Sequence, residues 1–415
     1  MKNGRGSNKA LLIIHGLTFL ISIFFSTLLP KVLGIEEYIT VMQITAFINL
    51  LLPIGTFSAP TFLIRQYNSL DRAELLKLII QLFFIGAAIV IGIVLIAFLG
   101  LELLSLNAAL LVFLISIFSS LLTTITALAR IQSNFYLYFF TTIFVKLLVI
   151  LILIFYYSKE FLTVNQFFFL WGGSSLCVLL LALIFLRKPL ELAKSNNGVV
   201  LDTELTSLKE ILLFCFPMVI ANIITMLLPL IERYFLEGYI SSDELALYIF
   251  NVDILAKISA IILLMLKVVI FPKIMLSKKD IQIDLFYMYL KKVSLFVGIF
   301  ALSSPLQAYL FGFFIIEILG YVNYYDFYVA VLLIIFSLIT PLNYMLTIGL
   351  VLINKNKFLL ISTTITLVLH IAGMLLLGKR YAAFGVSLSL VISILISSII
   401  LFFYTLVKIH EYKKN

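Results

Sequence analysis

Charged residues are scarce in this chain. Only 12% of its 415 residues are Asp, Glu, Lys or Arg, about half the share found in a soluble globular domain. Since 63% of the residues are hydrophobic, the composition excludes an ordinary soluble domain. It predicts a protein that is dissolved in lipid.

Cysteine and histidine are also rare, with two and three residues. Cys177 and Cys215 stand far apart inside apolar runs, so they predict neither a disulfide framework nor a metal site. The sequence contains no G-x-x-x-x-G-K-[ST] phosphate loop and no H-E-x-x-H zinc motif. We therefore expect a protein that is not an enzyme, has no cofactor or metal site and does not use ATP directly.

Long apolar runs recur along the whole sequence, and a run of about 20 residues suffices to cross a bilayer as a helix. Alternating ten-residue strand patterns are absent, so the runs predict helices and exclude a membrane barrel. The expected fold class is an all-α polytopic membrane protein with twelve transmembrane helices. The predicted spans are Leu11–Pro30, Ile39–Ile64, Leu78–Leu101, Leu103–Ala129, Phe135–Tyr157, Phe161–Leu186, Ile211–Ile231, Leu245–Ile270, Val293–Ile316, Phe327–Asn354, Phe358–Gly378 and Tyr381–Val407.

The distribution of lysine and arginine predicts the orientation of these spans. Of the 29 basic residues, 21 fall in the termini and the even-numbered connections and five in the odd-numbered ones. Short cytoplasmic loops accumulate basic residues, so both termini are expected in the cytoplasm. The net charge of +9 is then explained by contact with anionic headgroups and does not require nucleic acid.

The longest polar stretch, Arg187 to Glu210, divides the spans into six and six. The predicted organisation is an N-terminal six-helix bundle over residues 1–186, a cytoplasmic linker over 187–210 and a C-terminal six-helix bundle over 211–415. Equal halves suggest an internal repeat, and six spans per half would give both halves the same orientation.

One segment carries a recognisable pattern. "FPMVIANIITMLLPLIERYFLEGYISSDELALYIF" (216–250) has a proline near its start, the pair Glu232-Arg233, the turn residue Gly238 and an S-x-x-E-L-x-x-Y ending at Tyr248. It resembles the seventh-helix signature of Wzx-type polysaccharide repeat-unit flippases, in the multidrug/oligosaccharidyl-lipid/polysaccharide (MOP) exporter superfamily. "GTFSAPTFLIRQY" (55–67) resembles the corresponding stretch of span two. The resemblance implies a MATE-like arrangement of the two bundles.

Four basic residues are the candidates for substrate binding. Lys146 lies in the middle of span five, Lys257 and Lys267 lie in span eight, and Arg65 ends the resembling stretch of span two. A charge inside a bilayer costs about 2.5 to 3.5 kcal/mol on insertion scales, so it usually faces a cavity or a partner. We expect these side chains to make a cationic cavity; the alternative for the lysines is that they extend to the membrane interface.

Four other residues are the candidates for a gate or for energy coupling. Asp253 is the acidic residue well inside a span, and its spacing of four from Lys257 places the two on one helix face, where they can pair. Glu232 and Arg233 end span seven, and His370 lies near the middle of span eleven. Plain alternatives are a solvated turn for the span-seven pair and a packing role for the histidine.

The resemblance implies a flippase that moves undecaprenyl diphosphate-linked oligosaccharides, for O-antigen or capsule, across the bacterial cytoplasmic (inner) membrane. Coupling to an H⁺ or Na⁺ gradient and association with a polysaccharide polymerase and a chain-length regulator are expected with it. Two other readings stay open: a multidrug cation antiporter of the same superfamily, and a membrane polysaccharide polymerase.

Overall fold

The computed structural model describes residues 4–66, 72–100, 106–132, 134–157, 162–186, 208–275, 277, 279–314, 325–353, 355 and 357–414. This part of the chain is almost entirely helical, because in hydrocarbon only a helix or a closed barrel satisfies every backbone N–H and C=O group. The helices are α1 (Gly4–Val32), α2 (Ile35–Thr56), α3 (Ala59–Gln66), α4 (Arg72–Leu95), α5 (Leu106–Ile131), α6 (Phe135–Tyr157), α7 (Val164–Leu186), α8 (Leu208–Glu237), α9 (Ser242–Met265), α10 (Phe271–Met275), α11 (Lys279–Leu302), α12 (Ser304–Phe313), α13 (Phe327–Leu352), α14 (Lys357–Gly373) and α15 (Lys379–Lys414).

Nine helical segments in the described part of the chain are long and apolar enough to cross a membrane, and a tenth, Gly16–Val32, is apolar but shorter. One of the nine, Lys357–Glu411, covers α14 and nearly all of α15. The protein is therefore a multi-pass, all-α membrane protein. The count of twelve spans and the cytoplasmic location of the termini remain predictions.

The chain divides into two compact units, Met1–Met226 and Leu227–Asn415, and the division falls at a position within the sequence of α8. In the first unit α5 packs against α2, α3, α4, α6 and α7. In the second unit α13 packs against α9, α11, α12, α14 and α15. The helix at the centre of each unit is the fourth predicted span of its half, which is the relation that an internal repeat would produce. The predicted boundaries at 186 and 211 remain predictions.

Predicted span two is two helices in the structure. α2 ends at Thr56, and the next two residues, Phe57 and Ser58, have φ of 44° and 55° before α3 begins. Pro53 lies inside α2 and Pro60 inside α3, and proline removes a backbone hydrogen bond that would continue the helix. The prolines therefore predict a bend here, and the structure has a complete break.

Side chains stabilise the starts of two helices in the second unit. Asp326 accepts a hydrogen bond from Val329 N at 3.0 Å and caps α13. At α9, Ser241 and Glu244 form a reciprocal capping box, which satisfies two N–H groups that a helix start leaves without partners. The S-x-x-E spacing of Ser207 and Glu210 also predicts a capping box before predicted span seven, but Ser207 lies outside the described residues.

Candidate functional site

A buried polar cluster in the second unit joins side chains from four helices. We define the Glu232 cluster as Glu232 on α8, Tyr248 on α9, and His370 and Ser389 on α14 and α15. The hydroxyl of Tyr248 donates to Glu232 Oε2 at 2.8 Å, and Glu232 Oε1 lies 2.9 Å from His370 Nε2. Ser389 Oγ lies 2.8 Å from His370 Nδ1. All four side chains are buried.

The distance between Glu232 and His370 requires a proton between them. A bare carboxylate oxygen and an unprotonated imidazole nitrogen are both acceptors, and two acceptors at 2.9 Å would repel. Neither atom has another hydrogen-bond partner among the described residues. One of the two groups therefore donates a proton to the other in this contact, in a fully buried place.

A close approach of two helices makes this cluster possible. A Cβ atom added to Gly373 on α14 would lie 2.6 Å from the Cβ of Ser389 on α15. Because glycine has no side chain, α15 comes close enough for Ser389 to reach His370. Ser389 also donates to Val386 O at 2.9 Å, so its oxygen is held in place between its own helix and the imidazole ring.

Lys146, one of the two candidate cations of the first unit, contacts a neighbouring helix. Lys146 on α6 donates to Ser22 Oγ on α1 at 2.6 Å, and Ser22 donates to Thr18 O at 2.6 Å. The lysine is partly buried. The described side chain thus contacts a hydroxyl group on another helix of the same unit, and its place in a cationic cavity remains a prediction.

The predicted pairing of Asp253 with Lys257 is confirmed. Lys257 Nζ lies 2.8 Å from Asp253 Oδ1, and about a fifth of each side chain is exposed. The two charges compensate each other on one face of α9.

The remaining predicted site residues are only partly described. Arg233 is buried beside Glu232 on α8. Arg65 lies in α3 and Lys267 in a π-helical turn, Leu266–Ile270, but both of these side chains lie outside the described residues. Within the described ranges, no group of three His, Cys, Asp or Glu side chains could hold a metal ion.

Sequence reasoning missed two members of the Glu232 cluster. The sequence pattern includes Tyr248 only as the end of a motif, and it does not indicate a functional role for Ser389. The sequence signal that could have indicated Ser389 is a series of serines four residues apart: Ser389, Ser393 and Ser397. Another member of this series also contacts α14, since Thr366 donates to Ser397 Oγ at 2.7 Å. That spacing predicts one polar face on α15.

Comparison with known proteins agrees with this architecture. A Vibrio cholerae MATE transporter, VcmN, matches with a TM-score of 0.69 at 14% identity, over 99% of this chain and 99% of that one. An outward-facing multidrug resistance MATE transporter of the MOP superfamily matches with a TM-score of 0.61 at 16% identity, over 98% and 95%. A MOP superfamily transporter from Pyrococcus furiosus, described as having a binding pocket of reverse polarity that suggests a different function, matches with a TM-score of 0.59 at 15% identity, over 99% and 95%.

These structural likenesses establish the fold, which is that of the MATE transporters of the MOP superfamily. A search of curated proteins found no match. The model of one protein family, described as "Polysaccharide biosynthesis protein", matches residues 9–278, which is more than half of the chain. The chain therefore belongs to the polysaccharide biosynthesis protein family and has a MATE-like fold.

Proposed function

We propose that this protein is a flippase that moves undecaprenyl diphosphate-linked oligosaccharide repeat units, of O-antigen or capsule, from the cytoplasmic to the periplasmic leaflet. The observation that carries the proposal is the joint occurrence of a polysaccharide biosynthesis family match and a transporter fold over nearly the whole chain. A protein that serves polysaccharide synthesis and has a transporter fold has a natural cargo in the lipid-linked precursor. The membrane in question is the bacterial cytoplasmic membrane.

The charges inside the spans support an anionic cargo. In the first unit Lys146 is held by a neutral hydroxyl within the helix bundle, and an ammonium group there can hold a diphosphate oxygen. In the second unit the Asp253 and Lys257 charges compensate each other. The alternative function, export of cationic drugs, would favour uncompensated carboxylates instead. The Pyrococcus furiosus structure is one in which pocket polarity was taken to indicate a different function.

Lys146→Gln tests the cationic cavity. In proteoliposomes we expect the rate at which a fluorescent polyprenyl diphosphate oligosaccharide changes leaflet to fall about tenfold or more, because a charge-assisted hydrogen bond contributes about 1.5 to 3 kcal/mol. Lys408→Gln is the matched control, since Lys408 lies near the end of α15 and pairs with Glu411 at 2.7 Å. An unchanged rate in Lys146→Gln would remove this lysine from substrate binding.

Energy coupling to an H⁺ or Na⁺ gradient is proposed to act through Asp253, with Glu232, Arg233 and His370 as the gate. We expect Asp253→Asn to abolish the dependence of transport on an imposed gradient, because the amide cannot exchange a proton or balance a cation. Asp253→Asn alone leaves Lys257 without its partner. The double variant Asp253→Asn with Lys257→Gln removes both charges and is the control for this effect. Gradient-driven transport that persists in both variants would discard the coupling role.

Association with a polysaccharide polymerase and a chain-length regulator belongs to the same proposal. A lipid-linked repeat unit that reaches the periplasmic leaflet must be consumed there by polymerisation, and its removal would pull transport forward.

A further inference from the structure

Two lysines from different helices of the second unit converge on one tyrosine. Lys273 of α10 donates to the hydroxyl of Tyr289 on α11 at 3.0 Å, and its Nζ lies 5.6 Å from the centre of that ring. Lys292, one turn further along α11, places its Nζ 5.8 Å from the same ring centre. Both lysines are exposed.

Three hydrogen bonds at the turn between α10 and α11 hold this arrangement in place. Gln282 is 6% exposed, and its side-chain amide donates to Met275 O at 3.1 Å and to Ser277 O at 3.0 Å. Ser277 Oγ donates to Lys273 O at 2.6 Å. The turn from α10 to α11 is therefore tied on both sides, so the backbones that carry Lys273, Tyr289 and Lys292 have a defined relative position.

The group has an excess of positive charge and of hydrogen-bond donors. Among the side chains that the structure describes, which do not include Asp280, no carboxylate lies within ion-pair distance of Lys273 or Lys292. The Tyr289 oxygen accepts from Lys273 and keeps its own proton to donate. Two ammonium groups and a phenol O–H are the donors that an oxygen-rich anion accepts from, and a phosphate is such an anion.

We propose that Lys273, Tyr289 and Lys292 bind the diphosphate of the lipid-linked substrate at the cytoplasmic surface, before it is moved. This inference rests on the proposed function. Two converging ammonium groups match a diphosphate better than the single charge of a phospholipid such as phosphatidylglycerol. The connection between predicted spans eight and nine also holds five basic residues, more than any other, on the predicted cytoplasmic side, at the level of the headgroups.

The test measures equilibrium binding of undecaprenyl diphosphate, without sugar, to the full-length protein in phosphatidylcholine nanodiscs. We expect Lys273→Gln with Lys292→Gln to weaken binding about tenfold or more, since each basic residue near a membrane surface contributes about 1 kcal/mol toward an anion. The matched control is Lys355→Gln with Lys357→Gln, which removes two exposed charges from another predicted cytoplasmic connection. The affinity of this control variant for undecaprenyl diphosphate is expected to stay within about twofold of the wild-type affinity.

Tyr289→Phe is a milder variant that keeps the ring and removes the hydroxyl, and it is expected to weaken binding about threefold, as the loss of one neutral hydrogen bond does. Equal affinity in the wild type and in both lysine and tyrosine variants would overturn the site. Loss of phosphatidylglycerol binding with unchanged diphosphate affinity would overturn it in favour of a phospholipid headgroup.

The transport assay separates this inference from the proposed function. The wild type could transport glycolipid while its binding of diphosphate does not depend on the three residues. That result would contradict the surface site and support the proposed flippase function. Diphosphate binding that depends on the three residues, in a protein that does not transport glycolipid, would support the site and remove the proposed function.

Discussion

Glu232→Ala is expected to lower the free energy of unfolding by about 2 to 6 kcal/mol, because it leaves two buried polar groups without their shared partner. Without the carboxylate, the hydroxyl of Tyr248 loses the acceptor that lies 2.8 Å away, and His370 Nε2 loses the group that lies 2.9 Å away. Both would be left buried, where an unsatisfied polar group costs about 1 to 3 kcal/mol. Denaturant titration of the purified protein in mixed micelles measures the change.

Glu237→Ala is the matched control for this prediction. Glu237 ends the same helix, α8, but is exposed, so its removal is expected to change stability by less than about 0.5 kcal/mol. Glu232→Gln, which keeps an acceptor for Tyr248 but cannot carry the charge, is expected to lie between the two. Equal stability of Glu232→Ala and Glu237→Ala would show that the cluster does not stabilise the second unit.

Gly86→Ala is also expected to lower the free energy of unfolding substantially, but through steric overlap between two helices. A Cβ at Gly86 on α4 would lie 2.4 Å from the carbonyl oxygen of Ile54 and 2.7 Å from that of Gly55. These are backbone atoms at the end of α2, next to the break at Phe57 and Ser58, so they cannot turn aside as a side chain would. The helices must separate, and overpacking of this kind costs about 1 to 3 kcal/mol or more.

The same helix offers a control of the same chemistry. Nothing lies within 4 Å of a Cβ at Gly92, so Gly92→Ala adds the same methyl group in open space. Alanine is favoured over glycine in a helix by about 0.8 to 1 kcal/mol, so we expect this variant to be neutral or more stable. A Gly86→Ala protein as stable as Gly92→Ala would contradict the close approach of α2 and α4.

Composition and hydropathy predict the fold class because a lipid environment leaves few choices. A run of twenty apolar residues has to be a helix, so the bounds of predicted span five, Phe135–Tyr157, are also those of α6. The sequence predicts the break in span two less completely. Pro53 and Pro60 indicate a bend there, but the left-handed conformations of Phe57 and Ser58 depend on tertiary packing, which a run of apolar letters does not encode.

The candidate site was predictable only where it is local. Asp253 and Lys257 lie four residues apart on one helix, so helix geometry alone predicts their pairing. Glu232 and His370 are separated by 138 positions in the sequence, and their contact depends on how α8 and α14 pack. Both residues were named as candidates, yet no spacing rule joins them.

The two units also share a feature that is visible only in three dimensions. In the first unit a polar contact joins predicted spans one and five, through Ser22 and Lys146. In the second unit a polar contact joins predicted spans seven and eleven, through Glu232 and His370. The corresponding helix pair is thus bridged in each half, by a lysine and a serine in the first and by a glutamate and a histidine in the second, which fits an internal repeat.

The most direct test of the proposed function is the substrate selectivity of the wild-type protein in proteoliposomes. The measurement compares the leaflet exchange of a fluorescent polyprenyl diphosphate oligosaccharide with the efflux of a cationic dye, against protein-free vesicles. We predict rapid exchange of the glycolipid and no efflux of the dye. Efflux of the dye without exchange of the glycolipid would contradict the flippase and indicate a cation exporter with the same fold.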